Sequence, residues 1–169
     1  REKDLSPEAL RGLAEPIGGL CRAHRARVLI NTHARVAIEI GADGVHLPAA
    51  SASVESLRSM SRGALMVGCS THDLGEATER AAQGADFAVF SPVYATDSKP
   101  GYGPATGLAG LRRVAEAVTV PVFALGGIGP ERVRECLRAG AFGVAVMSGL
   151  MRPEGRTVRV RTYLNELGE

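Results

Sequence analysis

The sequence predicts an α/β fold of the (β/α)8 TIM barrel class. Short apolar runs that break into glycine or small polar residues recur along the chain, as buried parallel strands do. A second observation is a loose repeat, in which glycine-alanine leads into a strand, at Gly41–Leu47, Gly84–Phe90 and Gly140–Val146. Glycine in this position is typical of a helix C-cap. Helix, tight turn and strand following one another with short connections indicate a parallel sheet with helical crossovers.

The individual elements are read from these patterns in chain order. Apolar runs of strand length predict strands at Val28–Asn31, Gly44–Leu47, Leu65–Cys69, Phe87–Phe90, Val122–Leu125 and Val144–Met147. The segments between them predict helices at about Pro7–Arg25, Ala34–Ile40, Val54–Met60, Leu74–Gln83, Leu108–Val118 and Pro130–Ala139, with a last helix at about Thr157–Leu167. Pro130 suits the first position of its helix.

The number of strands falls short of a closed barrel. Such a barrel has eight strands and usually at least about 200 residues, whereas these 169 residues contain six predicted strands and a stub at Arg1–Lys3. We therefore expect the first strand–helix unit to be absent from this chain and residues 1–169 to form a single domain. An open doubly wound sheet is the competing fold, but no glycine-rich loop follows an early strand.

Composition narrows the classes of partner. The net charge is +2 and aromatic residues make up 4% of the chain, which argues against nucleic-acid binding. Arg156, Arg159 and Arg161 are expected on the solvated face of the last helix. No apolar run reaches the roughly 20 residues that span a bilayer. Three cysteines at irregular spacing show neither a disulfide nor a zinc pattern. We expect a cytoplasmic protein without a membrane span.

The turns after the last two strands suggest an anion site. Gly126–Gly127 allows the backbone to approach an anion closely, and Ser148–Gly149 repeats this device one strand later. The loop Ser91–Thr106 also follows a strand and contains Lys99 as its one cation. In a barrel, residues that follow strands share the catalytic face. The expected substrate is therefore a small phosphorylated molecule.

Other polar residues have both chemical and structural interpretations. Asp43 and Asp86 precede strands, so a structural role is expected. Ser70 either contacts an anion or caps the helix near Leu74, and His72 is expected at the entry to that helix. His46, at the end of a strand, and His33, after one, are candidates for a general base, and Cys69 is a candidate thiolate. For His46 and Cys69 the structural alternative is a buried packing role.

The chain resembles the thiamine phosphate synthase/TenI superfamily over essentially its whole length. The segments that carry this resemblance are Arg1–Asp4, Ile30–Asn31, Gly41–Leu47, Val67–His72, Ser91–Pro100, Leu125–Ile128 and Val146–Gly149. The resemblance implies a barrel fold and one of two activities. Thiamine phosphate synthases join a pyrimidine diphosphate to a thiazole phosphate with Mg²⁺ and release diphosphate, whereas TenI-type proteins isomerise a thiazole carboxylate phosphate.

The resemblance also implies two groups of binding residues. The group facing the diphosphate would be Arg1, Lys3, Asn31, Ser70 and Lys99. The group holding the thiazole phosphate would be Thr96, Ser98, Gly126, Gly127, Ser148 and Gly149.

Departures from the family pattern favour the TenI branch. The synthase pattern has Asn-Asp where this chain has Asn31–Thr32, and it has an acidic residue in the region where this chain runs Pro48–Ser53. We therefore predict no metal site and no cofactor, with Mg²⁺ required only for the synthase activity. The histidine credited with proton transfer in TenI proteins is replaced by Pro92, so His46, His33, Cys69 or Tyr94 would have to serve.

The leading hypothesis is thus a thiazole tautomerase. Thiamine-phosphate synthase is the alternative, and a non-catalytic thiazole or thiamine phosphate-binding protein is the third. A homo-oligomer formed through helices is possible on this sequence.

Overall fold

A computed structural model of the chain describes residues 2, 4–51, 53–96 and 104–168. It has two compact units. The first contains the described residues up to Ser70 together with Ala82–Asp86, and the second contains Thr71–Ala81 together with the described residues from Phe87 onward.

The described residues form six strands and eight α-helices. The strands are β1 (Leu29–Asn31), β2 (Gly44–Leu47), β3 (Met66–Thr71), β4 (Phe87–Phe90), β5 (Val122–Leu125) and β6 (Gly143–Ala145). The helices are α1 (Pro7–Ala23), α2 (Ala34–Glu39), α3 (Val54–Ser61), α4 (Leu74–Ala82), α5 (Gly107–Ala117), α6 (Val133–Arg138), α7 (Ser148–Met151) and α8 (Arg156–Leu167), with a 3₁₀ turn at Pro130–Arg132.

The first unit is built on strands β1 to β3, which pair in parallel and in chain order. Asn31 lies opposite His46, and Leu47 lies opposite Cys69. Because side chains alternate along a strand, every second residue of these strands points into the same layer. Val45, Val67 and Cys69 are fully buried in a cluster that also contains residues of α1, α2 and α3. This cluster fixes the register and leaves the alternate positions for other roles.

The second unit repeats this arrangement with β4, β5 and β6, which are also parallel and in chain order. Phe90 lies opposite Ala124, and Ala124 lies opposite Val144. The core of this unit includes residues of α5, α6 and α8; Leu111 and Val133 are fully buried in it. Parallel strands joined by helices confirm the predicted α/β class.

The differences from the predicted elements lie at boundaries. Strand β6 ends at Ala145 rather than Met147, because Ser148–Met151 closes into the short helix α7. The predicted helix Pro130–Ala139 opens as a 3₁₀ turn before α6 begins. The stub at Arg1–Lys3 has its end residues outside the described part of the chain. Within the described ranges, no helix combines the length and the apolar character that crossing a bilayer requires.

Candidate functional site

In the first unit, polar side chains at the ends of β1, β2 and β3 point to the same side of the sheet. Asn31 and His46 are register partners, and His46 also pairs with Gly68. Ser70 lies two residues beyond Gly68, so it shares this face. The Nε2 atom of His46 lies 2.9 Å from the Oγ atom of Ser70, within hydrogen-bond distance, and both side chains are partly exposed. Three residues that the sequence singled out as candidates, Asn31, His46 and Ser70, thus lie on one face of the sheet.

The turn after β1 is held in an unusual backbone conformation. Thr32 has φ 68°, a left-handed conformation that β-branched residues rarely adopt. Its N–H donates to the His46 carbonyl at 3.0 Å, and its Oγ1 accepts from Nδ2 of Asn31 at 2.9 Å. The first bond couples the end of β1 to β2, and the second holds the Asn31 amide against the turn.

His33 lies away from this face. It precedes α2 without a capping hydrogen bond from its side chain, and it lines a cavity of about 530 Å³. Arg11 and Glu39 also line this cavity, and their charged groups pair at 3.7 Å. The structure thus places the His33 candidate in a cavity with charged side chains, which Thr32 also lines.

Cys69 occupies the opposite face of β3 from Ser70. It has no exposed surface and belongs to the apolar cluster of the first unit. Its neighbour in the sheet is Leu47, which is equally buried. This environment suits a packing role, since thiolate chemistry needs a polar and accessible surrounding.

Ser70 does not cap α4. The Oδ1 atom of Asp73 accepts the N–H of Glu76 at 2.8 Å, and the Glu76 carboxylate accepts the N–H of His72 at 2.7 Å. Acidic side chains therefore satisfy these N–H groups, and His72 lies at the helix entry as expected. Of the two interpretations of Ser70, the capping one was wrong.

Asp43 and Asp86 have structural roles, as predicted. Asp43 Oδ2 accepts the N–H of Val28 at 2.8 Å, just before β1. Asp86 Oδ2 accepts the N–H of Val67 and a guanidinium N–H of Arg58, both at 2.6 Å. The Asp43 carboxylate thus binds the chain just before β1, and the Asp86 carboxylate binds the start of β3 and a side chain of α3.

The described residues do not fit a Mg²⁺ site. The resemblance places acidic residues at Thr32 and within the segment Pro48–Ser53. Here the Thr32 hydroxyl accepts from Asn31, and in that segment the Ser51 hydroxyl donates to the Pro48 carbonyl at 2.6 Å. Neither group carries a charge, whereas Mg²⁺ in proteins is usually held through carboxylates. No cluster of three or more His, Cys, Asp or Glu side chains suited to a metal ion occurs in the described part of the chain.

In the second unit, the turn after β5 packs directly on the segment after β4. Gly126 and Gly127 have φ 103° and φ 61°, values that favour glycine. A Cβ atom on Gly126 would lie 2.8 Å from Pro92 Cα, and one on Gly127 would collide with the Ala95 carbonyl oxygen. Close packing within the protein therefore requires both glycines, independently of any anion.

Three consecutive carbonyl groups of this turn accept hydrogen bonds from residues outside it. Tyr94 N donates to the Gly126 carbonyl at 3.0 Å. Arg132 Nη1 donates to the Gly127 carbonyl at 2.5 Å, and Tyr163 Oη donates to the Ile128 carbonyl at 2.9 Å. Arg132 and Tyr163 were not among the sequence candidates.

The second predicted anion turn, Ser148–Gly149, is held by the last helix. Arg159 Nε donates to the Gly149 carbonyl at 2.6 Å, and its other nitrogens donate to the carbonyls of Arg152 and Glu154, each at 2.6 Å. Arg156 and Arg161 are exposed, as expected for a solvated face, whereas Arg159 is partly buried and binds these carbonyls. A side chain that binds carbonyls over several residues leaves no mark on the hydrophobic pattern of its helix.

Tyr94 is bound from two sides. Its hydroxyl donates to Glu135 Oε2 at 2.9 Å, and the guanidinium carbon of Arg132 lies 4.3 Å from its ring centroid. Burial, followed by the bond to Glu135, raises the pKa of Tyr94. The phenol therefore stays protonated near neutral pH, which suits an anchoring role.

Several binding candidates have no described position. Arg1, Lys3, Ser98 and Lys99 lie outside the described residues. Thr96 is described and partly exposed. Gly126, Gly127, Ser148 and Gly149 all belong to the second unit, in the two turns described above.

Comparison with known proteins places these features in a family. The family model described as TMP-TENI, thiamine monophosphate synthase, matches residues 1–150. The thiamine-phosphate synthase of Methanoculleus marisnigri is 36% identical over 167 residues, which cover 99% of this chain and 79% of that protein. The thiamine-phosphate synthase of Methanoregula boonei is 36% identical over 151 residues, covering 89% and 70%.

A solved structure agrees with these matches. The thiamine phosphate pyrophosphorylase from Pyrococcus furiosus superposes with a TM-score of 0.90 at 29% identity, covering 99% of this chain and 80% of that one. Sequence and backbone comparisons thus lead to the same group of proteins, and the chain belongs to the thiamine monophosphate synthase (TMP-TENI) family.

Proposed function

We propose that this protein acts in thiamine biosynthesis as a thiamine-phosphate synthase, a transferase that joins a pyrimidine diphosphate to a thiazole phosphate and releases diphosphate. The observation that carries the proposal is the name shared by relatives that are 36% identical over 89% and 99% of this chain. These relatives favour the synthase over the tautomerase that the sequence motifs favoured.

We assign each substrate group to residues within one unit. In the second unit, the N–H groups of the turns at Gly126–Gly127 and Ser148–Gly149 would bind the thiazole phosphate, because backbone N–H groups in turns favour anions. In the first unit, Asn31 and Ser70 would face the diphosphate. Membership of the (β/α)8 barrel class is part of the proposal, and it is supported by the parallel strand order within each unit.

The test is a direct assay of the joining reaction. The full chain is incubated with pyrimidine diphosphate and thiazole phosphate over a range of Mg²⁺ concentrations, and thiamine phosphate and diphosphate are both quantified. Equal amounts of the two products are expected, and neither should form when one substrate is omitted. If no thiamine phosphate forms at any Mg²⁺ concentration, the synthase proposal is wrong.

A tautomerase is the second candidate, because one observation favours it over the synthase. The positions that the resemblance assigns to metal carboxylates are uncharged, while His46 lies 2.9 Å from Ser70 and is able to move a proton. Under this alternative, the thiazole carboxylate phosphate isomerises without metal, as followed by NMR.

His46→Gln separates the second candidate from the first. In a tautomerase the variant should lose at least about 100-fold in kcat, since a general base contributes roughly that much. His24→Gln, an exposed histidine that follows α1, is the matched control and should keep its rate. Tight binding of thiazole phosphate without turnover in either assay would support the non-catalytic alternative.

A further inference from the structure

The turn after β5 has a regular feature that none of the assigned roles explains. Three consecutive carbonyl groups are each held by a donor from elsewhere in the second unit. The pairs are Gly126 O with Tyr94 N at 3.0 Å, Gly127 O with Arg132 Nη1 at 2.5 Å, and Ile128 O with Tyr163 Oη at 2.9 Å.

Fixing a carbonyl also fixes the N–H group of the same peptide unit. The peptide is planar and trans, so its N–H points opposite to its C=O. The three held carbonyls therefore set the directions of the N–H groups of Gly127, Ile128 and Gly129. In the described part of the chain, none of these three N–H groups has a protein acceptor.

We propose that Tyr163 and Arg132 are positioning residues of the phosphate site: by holding the Ile128 and Gly127 carbonyls, they orient successive backbone N–H groups toward a phosphate monoester. This inference depends on the proposed function, because it takes the turn to be where the phosphate binds. Neither side chain needs to touch the ligand. Each acts by preventing rotation of a peptide unit, which otherwise must be ordered when the ligand binds.

Tyr163 is suited to this role by its surroundings. It lies on α8, 35 residues from Ile128, and only 6% of its surface is exposed. Its hydroxyl also lies against the second anion turn, since a Cβ atom on Gly149 would be 3.0 Å from it. Burial raises the pKa of Tyr163, so the hydroxyl remains a donor. One side chain thus contacts both turns of the predicted phosphate site.

The first test removes the Tyr163 hydroxyl. Tyr163→Phe keeps the buried ring, and binding of thiazole phosphate and of the corresponding unphosphorylated thiazole alcohol is measured by calorimetry. We expect affinity for the phosphate to fall about tenfold, and affinity for the alcohol to stay within about twofold. Thr162→Val removes a hydroxyl from the adjacent residue of the same helix, where it bonds only the Val158 carbonyl, and should change neither affinity.

The second test uses a more exposed side chain, so that it stands even if Tyr163→Phe does not fold. Arg132→Lys retains the positive charge but removes the guanidinium that reaches the Gly127 carbonyl. We expect about a fivefold loss of affinity for thiazole phosphate alone. Arg134→Lys is the matched control, because Arg134 pairs with Glu166 at 2.6 Å and contacts neither turn.

The outcomes separate this inference from the function on which it depends. If the unaltered protein binds no thiazole phosphate, the proposed function fails and the inference fails with it. If it binds the phosphate, but Tyr163→Phe and Arg132→Lys bind both ligands as the controls do, only the positioning role is overturned. Equal loss for the phosphate and the alcohol also overturns it, because a general loss of structure would not be selective for the phosphate.

Discussion

Among single residues, Thr71 has an unfavourable environment. It is fully buried at the end of β3, and within the described residues its Oγ1 has no hydrogen-bond partner. A buried hydroxyl without a partner loses its bonds to water and gains nothing in return. Such a group lowers the stability of the native state.

Thr71→Val should therefore stabilise the protein by about 1 kcal/mol, because valine has nearly the same shape and no polar group to desolvate. The measurement is the midpoint of urea-induced unfolding. Thr78→Val is the control, since Thr78 is exposed and its hydroxyl donates to the Leu74 carbonyl. A destabilised Thr71→Val variant would show that the hydroxyl has a partner in solution.

The same scale shows which site residues the sequence could identify. Alternation along a predicted strand is enough to assign His46 or Ser70 to one face, but their contact follows from the register of β2 with β3 in the structure. The same alternation of side chains along β3 places Cys69 and Ser70 on opposite faces, so the two candidates cannot act at the same face. The Thr32 conformation could not be anticipated, since a β-branched residue gives no signal for a left-handed backbone.

At the scale of elements, the first turn of α1 contains a titratable side chain, Glu8, near the N-cap residue Ser6. Ser6 Oγ accepts the N–H of Ala9 at 3.3 Å, and Pro7 occupies the first helical position. A hydrogen bond from its own backbone N–H, followed by one from Ser6, lowers the pKa of Glu8 below its ordinary value of 4.5. The charged form of Glu8 is thus favoured in the folded state.

Because folding lowers the pKa of Glu8, the free energy of unfolding should fall as the pH becomes acidic. Because the folded pKa is lower than the unfolded one, the stabilisation is complete above pH 4.5 and is lost as the pH falls through the folded pKa. Glu8→Gln should therefore be less stable than the unaltered protein at pH 6, and the difference should shrink as the pH falls below 4.5, as measured by urea unfolding. A difference that persists unchanged at low pH would contradict this account. Ser6→Ala, which removes the cap, should reduce the difference.

Helix α3 is tied to the strand that follows it by a single arginine. Arg58 donates to the carbonyls of Leu65 and Gly84 at 2.8 and 2.9 Å, and to Asp86 Oδ2 at 2.6 Å. The same Asp86 oxygen accepts from β3. The Arg58 side chain therefore stabilises the amino end of β3 within the first unit.

Arg58→Met should lower the free energy of unfolding by about 2 kcal/mol, because it keeps the aliphatic stem but leaves the Asp86 carboxylate without its cation. This value allows for the partial exposure of the pair. Arg62→Met, at the exposed C-cap of the same helix, should change it by less than about 0.5 kcal/mol. Equal effects of the two substitutions would show that the three hydrogen bonds of Arg58 contribute little.

For helix α8, the sequence was sufficient to predict the extent of the helix but not its contacts. Its extent, Arg156–Leu167, was predicted to within one residue at the start. Its contacts were not, because Arg159 and Tyr163 bind backbone carbonyls, and any residue type can present a carbonyl. Only the fold brings Ile128 to Tyr163, which lies 35 residues away.

For the whole molecule, the backbone follows the family. The backbone matches a solved family member with a TM-score of 0.90, and that likeness covers 99% of the chain. Apolar periodicity was sufficient to predict the positions of the strands to within a few residues, since burial determines that periodicity. The polar positions that distinguish the two proposed activities, such as Thr32, are not constrained by any pattern of burial.

Thr32→Asp should restore a carboxylate at the position where the resemblance has one. Aspartate adopts the φ of 68° more readily than threonine, so the fold should tolerate the change. We expect Mg²⁺ to bind about tenfold more tightly in the presence of diphosphate, as measured by calorimetry, because a charged oxygen replaces a hydroxyl. Thr32→Asn has the same shape without the charge and should bind Mg²⁺ as the unaltered protein does. If both variants bind Mg²⁺ equally, charge at this position does not control metal binding, and the uncharged Thr32 no longer favours the tautomerase over the synthase.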